Sequence, residues 1–110
     1  MEATLKAMSD PTRREILQLV QTQELPAGEI ASNFTISRPA ISQHLTVLKE
    51  AGLVDERREG VKRLYRTRVE GMVELKAFLE MFWSVRLKRL KAVIEADIEV
   101  EDSNDDDVQN

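Results

Sequence analysis

The chain has 110 residues, 42% of them hydrophobic and 33% charged, with no cysteine and one histidine. That length fits one domain with at most a tail, and the lack of thiols excludes disulfides, thiolate metal sites and cysteine nucleophiles. The formal net charge of −4 hides a segregation, because residues 1–93 carry all 16 Lys and Arg against 12 acids, whereas 94–110 carry eight acids and no base. A body of charge +4 thus precedes a tail of −8, and a basic body admits an anionic partner.

No apolar run approaches the ~20 residues needed to span a bilayer. The N-terminal stretch Met1–Met8 includes Glu2 and lacks the apolar core of a signal peptide. A soluble, cytoplasmic chain with no membrane partner is therefore expected.

Leu5 and Met8, one helical turn apart, predict a short N-terminal helix. Asp10-Pro11 marks a second helix start, with Asp10 as N-cap and Pro11 where no amide donor is needed. Ile16, Leu17 and Val20 supply its apolar stripe. Leu25-Pro26 interrupts the pattern, and Pro26-Ala27-Gly28-Glu29 opens another short helix with Ile30, Ala31 and Phe34 inward. Residues 33–36 read as a turn. Ser37 can cap the next helix, with Pro39 tolerated in its first turn. Ile41, Leu45 and Leu48 then follow the i, i+4, i+7 rule of an inward face. Gly52 is a natural stop.

From Leu53 the period shortens. Leu53–Arg58 and Val61–Val69 have strand character around a Glu59-Gly60 turn, and Glu70-Gly71 reads as a break after the ribbon. Met72, Leu75, Phe78, Leu79, Phe82, Trp83, Leu87, Leu90 and Ile94 form a broad stripe on a long final helix. Beyond it, "EVEDSNDDDVQN" has few apolar residues and a strong acidic bias, which predicts a disordered tail. The expected organisation is a domain over 1–95 and an acidic tail over 96–110. The fold class is mostly α with a β-hairpin. Three short helices followed by a two-stranded ribbon describe a winged helix-turn-helix, whose third helix enters a major groove while the ribbon lies along the backbone.

Three segments in this order, "DPTRREIL" (Asp10–Leu17), "ISRPAISQHLTVLKEAGLV" (Ile36–Val54) and "RREGVKRLYR" (Arg57–Arg66), resemble the ArsR family of small dimeric bacterial and archaeal transcriptional repressors. The resemblance spans about Leu5 to Ile94. "FWSVRLKRLKAVI" (Phe82–Ile94) is similar to a branch whose last helix carries Phe-Trp and basic–Leu repeats. The resemblance implies a winged-helix homodimer joined through its terminal helices, an inverted-repeat operator and release by a signal. In the metal-sensing branch the sites need paired cysteines, or His and carboxylates on the last helix. This chain has no cysteine and no His between Met72 and Ile94, so no metal and no cofactor are expected.

With Ile41, Leu45 and Leu48 inward, Arg38, Pro39, Ser42, Gln43, Thr46 and Lys49 face largely outward. These types suit a groove: Arg pairs with guanine, Gln with adenine, and Ser or Thr with either base edges or phosphates. Pro39 and the Thr46 methyl can meet thymine methyls. His44 sits beside the buried stripe, and a half-buried imidazole bonded to backbone or phosphate is the first expectation, ahead of base contact and metal ligation.

The ribbon concentrates Arg57, Arg58, Lys62, Arg63, Arg66 and Arg68. Arg58, Lys62, Arg63 and Arg66, together with Ser37 and Arg13, are the candidate phosphate contacts. Some of the outer arginines can pair with helix carboxylates instead. Arg13 and Arg14 occupy a helix first turn, where positive charge is mildly unfavourable, so phosphate contact and an ion pair across the fold stand as equal readings.

The candidate dimer surface is Leu5, Met8, Leu75, Phe78, Leu79, Phe82, Trp83, Leu87 and Leu90, with a ligand pocket among the rings as the sharper alternative. The sequence points to double-stranded DNA and a second copy of the chain as partners and leaves any inducer or protein partner unnamed. A winged-helix protein-interaction module is the rival reading. No Gly-rich phosphate loop or metal-spaced cluster supports an enzyme, so no catalytic residue is assigned.

Overall fold

The computed structural model describes the backbone of residues 1–109 and the side chains of residues 1–98. The segment expected to be a disordered tail continues α5 as helical backbone to Gln109, while its side chains from residue 99 on lie outside the described residues. The chain divides into two compact units, Met1–Leu75 and Lys76–Asn110. The first contains α1 (Glu2–Met8), α2 (Pro11–Leu19), β1 (Leu25–Pro26), α3 (Ala27–Ala31), α4 (Arg38–Glu50), β2 (Val54–Glu59), β3 (Lys62–Thr67) and the opening turns of α5. The rest of α5, which spans Val69–Gln109, makes up the second.

Local chemistry sets the helix ends. Asp10 accepts a hydrogen bond from the Arg13 amide at 3.1 Å, with Pro11 at the first helical position. Ser37 accepts from the Ala40 amide at 3.3 Å in the same way. Five-residue α3 is closed by side chains, since Ser32 Oγ and Asn33 Nδ2 both donate to the Glu29 carbonyl. The end of α4 is a Schellman turn: Gly52 N–H donates to Lys49 O and Leu53 N–H to Leu48 O, each at 3.0 Å. Gly52 has φ +77°, which a residue with a Cβ adopts only under strain.

The inward faces build one core. Ile16, Val20, Ile30, Ile41, Leu45, Leu48 and Leu53 are fully buried, joined by Leu17, Leu25, Val54 and Tyr65. Each large aliphatic contributes about 1.5–3 kcal/mol by leaving water. Ala31 and Phe34 pack against this core from α3 and the turn after it, as their spacing predicts. At α1 the fully buried residue is Ala7, which the sequence reading passed over. Its small side chain suits the close approach of α1 to both α2 and α4.

Three expectations need correction. The ribbon is not two-stranded: β1 pairs antiparallel with β3, giving the order β1-β3-β2. A two-residue strand ending in proline has no alternation to reveal it, and only pairing with Leu64 and Tyr65 defines it. The hairpin turn is Gly60-Val61 rather than Glu59-Gly60, because Glu59 pairs with Lys62. Of the two turn residues Gly60 has positive φ, +63°, and Val61 does not, the pattern of a type II′ turn with glycine first.

The ribbon ends earlier than expected, at Thr67 rather than Val69, and α5 starts at Val69, so Glu70-Gly71 lies inside the helix and not at the boundary. Gly71 is there because the helix backbone crosses the Gly52 turn so closely that a Cβ would overlap the Gly52 carbonyl. Gly71→Ala is expected to cost about 1–3 kcal/mol through this overlap, read from urea unfolding. An unchanged midpoint would contradict the close approach.

Candidate nucleic-acid interface

The capped start of α4 and its buried Ile41, Leu45 and Leu48 orient the opposite face outward. Arg38, Pro39, Ser42, Gln43, Thr46 and Lys49 are all exposed. Thr46 Oγ1 donates to the Ser42 carbonyl at 3.0 Å, which folds the hydroxyl onto the helix. Arg38 and Ser42 share a groove of about 530 Å³ with Gly28, Lys62, Arg63 and Tyr65. The outer face of α4 and the wing residues Lys62 and Arg63 are thus brought together.

Strand register sorts the wing's charges. Arg58 lies directly opposite Arg63, on the sheet face that also carries buried Val54 and Tyr65. Like charges directly opposed across a ribbon repel. Arg66 lies opposite Asp55 and lines a different groove with Glu24 and Glu70, so it does not converge with the α4 row.

Half of the eight basic residues of the wing and the outer face of α4 are already paired. Arg57 Nε donates to Glu24 at 2.7 Å and its Nη2 approaches Glu59 at 3.4 Å, while Arg68 lies near Asp55 and Glu70. Arg63 and Lys49 both meet Glu56. Arg38, Arg58, Lys62 and Arg66 make no ion pair among the described residues. Arg57–Glu59 and Arg68–Glu70 are near neighbours in sequence, whereas Glu24 reaches Arg57 and Glu56 reaches Lys49 and Arg63 only through tertiary assembly. The Arg57 hydrogen bond holds the Glu24 carboxyl below its ordinary value, and Glu24 in turn raises the Arg57 guanidinium. Lys49 likewise holds Glu56 low, against an opposing desolvation effect.

Arg13 is turned into the fold. Its Nε donates to Ala7 O at 2.7 Å, its Nη2 to Lys6 O at 3.0 Å, and its Nη1 lies 3.3 Å from His44 Nδ1. Arg14 Nη1 donates to Met8 O at 2.8 Å. These two arginines therefore satisfy the terminal carbonyls of α1, a role that neither reading of the sequence included. His44 is half-buried as expected, but its partner is a side chain. A guanidinium has only donors, so in this contact His44 Nδ1 can take part only as the acceptor. Ser37 is exposed and caps α4 while keeping its own O–H available.

The apolar candidates divide. Met8 packs partly on its own core, and Leu75 is buried within the first unit. Leu5 is partly exposed. In the second unit Phe78 and Phe82 meet edge-on at 5.0 Å, and Leu79, Phe82, Trp83, Leu87 and Leu90 are between 40% and 64% exposed. No helix is long and apolar enough to cross a membrane among the described residues, and none of them form a group of three metal-ligating side chains.

These features define a winged helix-turn-helix regulator, with α3 and α4 as the helix pair and β2-β3 as the wing. The sequence pattern described as "Bacterial regulatory protein, arsR family" matches residues 10–56. The HTH-type transcriptional regulator Rv2034 of Mycobacterium tuberculosis is 38% identical over 92 residues, covering 84% of this chain and 86% of that protein. The transcriptional repressor SdpR of Bacillus subtilis is 48% identical over 60 residues, 54% of this chain and 67% of that one. The NMR structure of the homodimeric winged helix-turn-helix DNA-binding domain of Mb0332 from Mycobacterium bovis, a possible ArsR-family regulator, superposes with a TM-score of 0.62. It is 30% identical and covers 76% of this chain and 77% of that one. The chain belongs to the ArsR family of bacterial regulatory proteins.

Two outcomes follow for Arg13 and Asp10. Arg13→Ala is expected to lower stability by about 2 kcal/mol, the scale of losing charge-assisted hydrogen bonds. A phosphate-contact role alone would leave unfolding unchanged and flatten the salt dependence of DNA binding. Asp10→Ala is expected to cost about 1 kcal/mol at neutral pH. The Arg13 amide holds the Asp10 carboxyl below its ordinary value. The cap's contribution is therefore full above the unfolded-state value and fades as pH falls through the lowered one. Thermal unfolding of both chains across the acid range checks it, and a cost that stays constant to the lowest pH would contradict it.

Proposed function

We propose that this chain is a sequence-specific DNA-binding transcriptional repressor acting as a cytoplasmic homodimer on an inverted-repeat operator. The observation that carries the reading is the uninterrupted exposed row on α4 beside a wing whose Arg58 and Arg63 face each other. Arg58, without an ion pair among the described residues, faces an Arg63 whose charge is only partly offset by Glu56, and a polyanion relieves the remaining opposition. Base edges are met by Arg38, Pro39, Ser42, Gln43, Thr46 and Lys49, and phosphates by Ser37, Arg58, Lys62 and Arg63. Arg66, on the other sheet face, is a phosphate contact only where the duplex wraps past the wing.

A homodimer is supported by the exposed stripe of α5 and by the homodimeric state of the Mb0332 domain. Two α4 helices would then enter successive major grooves about 34 Å apart, which makes the operator palindromic. Residues 1–95 form the DNA-binding and dimerising domain in this reading, with 96–110 as an acidic tail. Repression by occupancy requires neither catalysis nor a resident metal, and the repressor assignment of SdpR favours the same mode.

Gel-shift titration on the DNA upstream of the chain's own gene, at two salt concentrations, tests the reading. A salt-sensitive shift that competitor DNA does not abolish is expected. No shift, or one indifferent to salt and sequence, points instead to a protein-interaction module. On that operator Gln43→Ala is expected to cost about 1–3 kcal/mol and to relax preference at one position. Lys62→Ala is expected to weaken all sequences alike and flatten the salt slope by about 0.9. Equal, sequence-independent losses for both would refute the division of roles.

A further inference from the structure

Lys49 and Arg63 both stand on the surface assigned to DNA, yet they share one carboxylate. Lys49 Nζ donates to Glu56 Oε2 at 2.8 Å, and Glu56 Oε1 lies 3.4 Å from Arg63 Nε. The Glu56 side chain is only 14% exposed, whereas Lys49 and Arg63 are 54% and 55% exposed. Lys49 comes from the last turn of α4, Glu56 from β2 and Arg63 from β3, so a single carboxylate ties the helix to the wing. Tyr65 is paired with Glu56 across the ribbon and is buried, and it helps wall the groove that also holds Lys49 and Arg63.

A carboxylate here is costly beside a polyanion unless it has a task. Phosphate contact supplies the sequence-independent part of DNA affinity, and every cation it engages releases counterions. A cation already neutralised by a carboxylate adds little until that pair opens. On an operator, base contacts along α4 offset the cost of opening the pair. On arbitrary sequence nothing does.

We propose that Glu56 is a positioning residue that withholds Lys49 and Arg63 from phosphates on arbitrary DNA and thereby widens the gap between operator and non-specific binding. The proposal rests on the DNA-binding function above. Glu56 subtracts more from non-specific affinity than from operator affinity, at the same time as it sets the angle of the wing against α4.

The test compares the full chain with Glu56→Gln, on the operator fragment and on a random-sequence duplex, across a salt series. Gln keeps the shape and removes the charge. The slope of log affinity against log salt on the random duplex is expected to steepen by about 0.9 if one cation is freed and about 1.8 if both are. The affinity lost between about 50 and 200 mM salt then deepens by up to about 12-fold, and the operator preference narrows.

In the Lys49→Gln/Arg63→Gln background the same Glu56→Gln change is expected to have no effect on the slope. A change that persists there is a general effect of removing a negative charge and overturns the proposal. An unchanged slope and preference also overturn it, as does a loss confined to the operator, which would make Glu56 a reader of a cytosine amine. Should Glu56→Gln fail to fold, Lys49→Gln/Arg63→Gln with Glu56 intact decides the matter. Cations that are already withheld leave the non-specific slope nearly unchanged when removed, and a drop of about 1.8 overturns the proposal. A wild-type chain that binds no duplex removes the functional reading itself, whereas each of the other failures removes only the role of Glu56.

Discussion

The burial of Ile41, Leu45 and Leu48 on one face of α4 is the constraint on which the first unit depends. These three side chains are almost completely removed from water, and they meet residues from α2, α3 and the start of β2 in one cluster. Because a helix repeats every 3.6 residues, anchoring that face leaves no choice about where Arg38, Ser42, Gln43 and Thr46 go. The outward row is a geometric consequence of the inward one. Ser37 at the start and the Schellman turn at the end then fix the length of the row.

The second constraint is how closely the chain returns over that helix end. Gly52 needs its positive φ for the turn, and Gly71 needs its missing Cβ because α5 begins against the Gly52 carbonyl. Arg68 N–H donates to Leu53 O at 2.8 Å and Thr67 N–H to Val20 O at 3.1 Å, so the end of the wing is bound to both the α4 turn and the end of α2. The wing is thereby placed beside α4, with β1 closing the sheet on the other side of β3. Charge follows the same geometry. Arg57, Arg63 and Arg68 have carboxylate partners, while Arg58 and Lys62 stand without ion pairs among the described residues at the hairpin end.

The Arg13 contacts show how a local oddity can have a tertiary cause. Positive charge in a helix first turn opposes the helix dipole, which from the sequence alone implied either DNA or an ion pair. The guanidinium instead bonds the last carbonyls of α1 and the His44 ring, linking α1, α2 and α4. The single histidine of the chain, on α4, is in this way a packing and orienting group.

The sequence by itself determined the first four helices, the caps at Asp10 and Ser37, the inward stripes and the identity of the exposed row on α4, but not the bounds of α5. All of these follow from spacing within one segment and from side chains bonding backbone a few residues away. The family, too, was legible in three contiguous motifs. Only the tertiary structure decided what depends on distant partners. It revealed β1, which exists through pairing with β3. It placed Gly71 inside a helix that passes over a distant turn. It also sorted the wing's cations into paired and unpaired, since Glu24 and Glu56 reach Arg57 and Arg63 only once loop, helix and ribbon are assembled. Charge counted along a chain says how much is present, and strand register says which charges neutralise each other.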